Sequence, residues 1–338
     1  MAMALWSHFP LRDSGSEKWL FGMIALAAGG CIFRLHKGAA EAINTMNVLV
    51  IGGTGRIGGY VASALASRGI HVRVMSRSPQ KIAELQPPLT GIVADLNRPE
   101  TLKEAFEGID RLFLITAHNI TETGQGIAAV QAAITAKLQR VVYMSAAAPP
   151  GATRIPHVAS KAPVEHALIG SRLDYTILRP TELFQNDLAY AYAITFGLYP
   201  APIGDLGISR VDARDVADAA VNALTRSGHE GRIYTIGGAD VLTGDAVAAA
   251  YGARLGREID YAGNALDLWE QTIGATLPRW QRNDYRIMYR YLQEHGLRLE
   301  QREQVDQMRV VGHAPRTFEE FVDATCRAWT SSNAVGVW

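Results

Sequence analysis

"NVLVIGGTGRIGGYVASAL", Asn47 to Leu65, begins as an apolar run, breaks into glycines and resumes with helical spacing. The run up to Ile51 predicts a strand, and the spacing beyond it predicts a helix over Ile57–Arg68. The same alternation recurs downstream. Strands are predicted at "HVRVMS", "TGIVAD", "DRLFLIT", "RVVYMSA", "DYTILRP" and "RIYTIGG", with helices at Glu100–Phe106, Gly126–Lys137 and Val164–Ser171 between them. Strands that are apolar throughout, separated by amphipathic helices, need a parallel sheet covered on both faces. The expected fold class is therefore α/β, a doubly wound parallel sheet.

Two stretches break the rhythm, 186–210 and 239–330, and both are richer in aromatic residues. They are expected to form a smaller substrate lobe over the carboxyl edge of the sheet, leaving 46–185 and 211–238 as the nucleotide-binding domain. In this lobe Leu266, Trp269 and Ile273 have the spacing of a buried helix stripe, so Trp280, Tyr285 and Tyr289 are left to face a flat apolar ligand. In "TFEEFV" Thr317 can cap the last helix while Glu320 reaches back. Residues 1–45 read as an extension with no catalytic role. Their apolar stretch 19–33 is short for a span of about 20 residues, and it is the one segment that would attach the chain to a membrane.

The 33 basic residues balance 33 acidic ones, so no net field favours nucleic acid, and a small-molecule substrate is the expected partner. Cys31 and Cys326 are too far apart in sequence to suggest a disulfide framework or a cysteine-based zinc site, and the nine histidines include no HExxH spacing. No metal is expected. A reducing, cytoplasmic setting is.

A strand, a turn holding Gly52, Gly55 and Gly58, and a helix starting near Arg56 bring unpaired amides and a positive helix end to one spot, which suits a pyrophosphate. Gly52 permits the turn, Gly55 allows close approach and Gly58 lets helix and strand pack, with Thr54, Arg56 and Ile57 completing the loop. An NAD site would carry an acid at the end of the second strand; here that end reads Ser76, Arg77, Ser78. Arg77 and Ser76 can instead take a 2′-phosphate, which favours NADPH over NADH; otherwise Arg77 is a solvated loop charge. Asp95 either lies beside the adenine or caps the helix near Pro99, and Thr116 and Ala117 are expected to line the ribose side.

Taken together, "IGGTGRIG", "MSRSP", "VVYMSA", "SKAPVEHAL", "YTILRPTELFQN" and "GHAPRTFEEFV" resemble the NmrA-like group of atypical short-chain dehydrogenase/reductases, from Met46 to about Trp329. The resemblance implies a Rossmann domain binding NAD(P)H and a smaller C-terminal lobe forming the substrate pocket. It also implies that a Ser, a Tyr and a Lys do the chemistry, the last two spaced YxxxK. Ser145 and Lys161 match, but the tyrosine position is His157. His157 is either a substitute proton donor or an exposed loop histidine; Lys161 is expected on the cofactor ribose, and Ser145 either bonds the substrate or only closes a strand. Pro180 is expected beside the nicotinamide amide, and Asn186 or Glu182 can face the substrate. The group also includes cofactor sensors that regulate a protein partner. The resemblance therefore leaves an NADPH-dependent reductase of an apolar aromatic or quinone-like molecule beside a non-catalytic regulator and a non-redox tailoring enzyme, and it leaves homo-oligomers open.

Overall fold

The computed structural model describes residues 46–331; the extension 1–45, with its apolar stretch and Cys31, lies outside them. Strands β1 (Asn47–Ile51), β2 (His71–Ser76), β3 (Thr90–Val93), β4 (Arg111–Leu114), β5 (Arg140–Met144) and β6 (Asp174–Pro180) fall where the apolar runs predict them. Two short strands follow, β7 (Leu198–Tyr199) and β8 (Ile208–Ser209), before β9 (Arg232–Ile236) rejoins the sheet. The order is β3-β2-β1-β4-β5-β6-β9, and every neighbouring pair is parallel. The chain reverses direction across the sheet between β1 and β4, the place where open α/β sheets bind ligands.

Both faces of the sheet are covered because successive side chains point to opposite sides. Val48 and Val50 enter one core with the helices Arg56–Ala66 and Ala213–Thr225. Leu49 and Ile51 enter the other, beneath the helices Leu102–Phe106, Glu122–Thr135 and Ala162–Ile169. The helix expected at Gly126 thus begins one turn earlier, at Glu122. Gly126 is a packing residue: a Cβ there would lie 2.5 Å from Val164 Cγ2 on the neighbouring helix. The helix expected from Glu100 likewise opens as a 3-10 turn, Pro99–Thr101.

A third core gathers Phe184, Tyr199, Tyr251, buried Trp269, Tyr289, Phe318 and Phe321, with Leu266 and Ile273 packed against it as the stripe predicts. Its last helix, Phe318–Ser331, starts as expected: Thr317 Oγ1 accepts from the Glu320 amide at 3.2 Å and Glu320 Oε2 from the Thr317 amide at 3.1 Å. One element of the stretch 239–330 belongs with the sheet. The helix Gln301–Val311 buries Val310 and Val311 in the β1-side core, and its Gln307 accepts from the Gly237 amide just past β9 at 2.9 Å. Among the described residues no helix is long and apolar enough to cross a membrane.

Candidate active site

The glycine turn follows directly from β1. Gly52 has φ +81°, a conformation that L side chains rarely adopt, and its carbonyl accepts from the Gly55 amide at 2.9 Å. Gly55 is the N-cap of the helix Arg56–Ala66 and offers no side-chain cap, so the first helical amides are left for an external acceptor. At Gly58 a Cβ would stand 2.2 Å from Gly52 O, so helix and turn touch only because it is absent. Thr54, Gly55 and Arg56 are not buried, which leaves the turn open to an anion. A dinucleotide diphosphate fits this cradle.

At the end of β2, Arg77 is exposed, and among the described residues it has no hydrogen-bond or ion-pair partner. Ser76 Oγ accepts from the Ser78 amide at 3.2 Å and keeps its proton to donate. Asp95 does not cap the turn at Pro99. Its Oδ1 accepts from the Asn97 amide at 3.0 Å, a local Asx turn, while Thr101 Oγ1 holds its backbone amide at 3.0 Å.

From Arg56 and Ile57 a cavity of about 770 Å³ runs between sheet and lobe, ending against Tyr190, Tyr285 and Tyr289. Thr116, Ser145, His157, Lys161 and Pro180 all line it, as do Glu182 and Asn186. Ala117 is exposed and off this wall; its carbonyl accepts from Asn119 Nδ2 at 3.0 Å. Trp280 is off it too and sets its ring edge against His118, 5.0 Å between centroids.

Two buried acids tie down the residues expected to do chemistry. Glu122 accepts from Thr116 Oγ1 at 2.8 Å and Ser160 Oγ at 3.0 Å, and it pairs with the Lys161 ammonium. Ser145 donates to Glu165, which also pairs with Arg179. The Ser145 proton is therefore committed, and its oxygen can only accept from a ligand. Glu182 is pushed above the usual carboxylate range by burial, which Arg210 opposes in part.

His157 is not an exposed loop residue. It sits on the short helix Pro156–Ala159, half-buried, with Nδ1 at 2.8 Å from Asp284 Oδ1. The other oxygen, Oδ2, lies 2.8 Å from His118 Nε2. Burial would raise the Asp284 carboxyl, but the hydrogen bonds from His118 and His157 outweigh it and hold the group at about 2. The three side chains are close enough to hold a metal ion, yet each carboxylate oxygen already has a ring N–H.

The profile of the NmrA-like family matches residues 44–322. The chain belongs to the NmrA-like family. Among its relatives, the NAD(P)H azoreductase of Xenophilus azovorans is 31% identical over 288 residues, 83% of this chain and 99% of that protein. The (4-alkanoyl-5-oxo-2,5-dihydrofuran-3-yl)methyl phosphate reductase of Streptomyces griseus is 30% identical, over 68% of this chain and 82% of its own. The fold matches the NADPH-dependent quinone oxidoreductase of Escherichia coli, solved with NADPH, at a TM-score of 0.72 and 24% identity, over 83% of this chain and 99% of that one.

Within this NmrA-like chain, sequence reading missed His118, Glu122 and Asp284. Glu122 was hidden by the late helix start at Gly126. Asp284 did carry a signal: on the helix Arg279–His295 it falls four residues before Met288 and eight before buried Leu292, an acid on an apolar stripe. His118 had none, since it meets the others only through the fold.

Proposed function

We propose that this chain is an NADPH-dependent reductase of a flat, apolar azo or quinone acceptor. The observation that carries the reading is one continuous cavity that runs from Arg56 and Ile57, the first helical residues after the glycine turn, to a wall of Tyr190, Tyr285, Met288 and Tyr289. Its size is that of a small-molecule site. When bound at the turn, the reduced nicotinamide supplies a hydride. The chain holds the diphosphate on the amides after Gly55 and presents Lys161, steadied by Glu122, on the wall where a ribose hydroxyl would lie. The aromatic wall suits an acceptor whose incoming charge is delocalised over rings. The near-full-length likeness to an NAD(P)H azoreductase supports the same substrate class.

The test is the loss of reduced-cofactor absorbance in the presence of azo dyes and quinones. Acceptor-dependent oxidation is expected, and NADPH binding without turnover on any of them would overturn the reading. The choice of NADPH rests on Arg77. Replacing Arg77 with alanine is expected to weaken NADPH about 10- to 100-fold, the value of a lost charge-assisted hydrogen bond, and to leave NADH affinity unchanged. Titration of both nucleotides by calorimetry checks this; an equal loss for both would remove Arg77 from the 2′-phosphate site.

A further inference from the structure

Reducing a neutral azo or quinone group consumes a proton as well as a hydride, and the tyrosine that supplies it in the wider superfamily is absent. We infer that His157 donates this proton and that Asp284, pinned by His118, is the positioning residue that makes it a donor. The inference rests on the reductase reading.

The geometry fixes the tautomers. Asp284 has a side chain only 3% exposed, and each of its oxygens is 2.8 Å from a different imidazole. An ionised carboxylate accepts and cannot donate, so the protons lie on His157 Nδ1 and His118 Nε2. The nitrogens left to exchange protons are His157 Nε2 and His118 Nδ1, and both rings line the cavity. The triad carries no net charge when one ring is cationic, and that state holds the proton the reaction needs. As the electron pair arrives on the acceptor, the N–H bond at His157 Nε2 breaks and a bond to the acceptor's nitrogen or oxygen forms. The ring is left neutral in the tautomer Asp284 already holds, so it need not turn over. It is recharged from solvent, to which the His157 side chain remains 21% exposed.

Other groups around His157 are unsuited to the role or play a different one. His118 is 5.2 Å away between centroids, tilted at 59°, and secures the second carboxylate oxygen. Tyr285 lies edge-on at 6.4 Å, and burial raises its phenol, which makes it a weaker proton donor than a free tyrosine. The Lys161 ammonium on the same wall is already paired with Glu122.

The test compares two acceptors in wild type, His157→Gln and Asp284→Asn. A quinone needs hydride and proton, whereas a cationic triarylmethane dye is neutralised by hydride alone. Both variants are expected to lower the ratio of quinone to dye turnover by about 100-fold, a typical general-acid contribution. KM for NADPH should move little. Imidazole ¹⁵N NMR of the resting protein gives a readout independent of turnover: His157 should carry its proton on Nδ1, and Asp284→Asn should abolish that preference. An unchanged turnover ratio, or a His157 protonated on Nε2 alone, overturns the inference. If wild type turns over neither these acceptors nor an azo dye, the reductase reading fails, and the spectra still decide the triad.

Discussion

Asp187→Ala is expected to destabilise the fold by about 3–5 kcal/mol, because it takes the nearer counter-charge from a cation that has no access to water and leaves it Glu182 at 3.8 Å. Arg210 is fully buried, with Nη1 and Nη2 at 3.0 and 2.8 Å from the two Asp187 oxygens. Burial by itself would lower the Arg210 guanidinium, but the Asp187 carboxylate, together with Tyr199 and Glu182, more than reverses this and raises it well above its ordinary value. Arg210 also donates to the Leu183 carbonyl at 3.0 Å, while Tyr199 and Tyr251 each donate to Asp187 at 3.3 Å. Leu183 lines the cavity, so this buried ion pair holds part of the cavity wall in place. Thermal unfolding should report a midpoint lower by on the order of 10 °C. Removing both charges, as Asp187→Leu with Arg210→Met, should cost less than Asp187→Ala alone, since the buried cation goes with its partner and the acid left behind, Glu182 at 3.8 Å from Arg210, is already pushed toward its neutral form by burial. Additive losses would show that the two residues act independently.

The second large effect is expected at the glycine turn, and neighbouring glycines supply its control. Gly58→Ala should weaken NADPH by at least about 100-fold. Its Cβ would lie 2.2 Å from Gly52 O and 2.8 Å from Gly53 Cα, all backbone, so the turn itself must move. Gly59→Ala should bind the cofactor normally, because its Cβ meets Gly53 O at an ordinary 3.6 Å. Gly59 lies within a helix, so the alanine should also add about 0.5–1 kcal/mol of stability. Cofactor titration and thermal unfolding of both variants check this pair. Equal behaviour of the two would mean that close packing at Gly58 does not shape the phosphate site.

Much of the fold was legible because the deciding patterns are local. The apolar runs of β1 to β6 needed no partner to be read, and the glycine spacing marked the turn between β1 and its helix. The Thr317–Glu320 cap was equally self-contained. The candidate site was legible only where a single element presents it. Ser145, His157 and Lys161 stand on the cavity wall, but what each can do there depends on Glu165, Asp284 and Glu122, which come from other elements. An exposed loop was a fair reading of His157 from its neighbours in sequence. It failed because the helix carrying Asp284 closes over it from 127 residues away. Arg210 and Asp187, buried as a pair, were hidden for the same reason. Gln301–Val311 was grouped with the lobe by position in the chain, whereas Val310 and Val311 belong to the core of the sheet.

The most direct measurement of the central claim is a single turnover of bound NADPH against an azo or quinone acceptor, repeated with deuterium at each face of nicotinamide C4. Oxidation that requires the acceptor and slows for one labelled epimer alone is the expected result. Saturable NADPH binding with no acceptor-dependent oxidation, or equal rates for both epimers and the unlabelled cofactor, would contradict hydride transfer in this cavity.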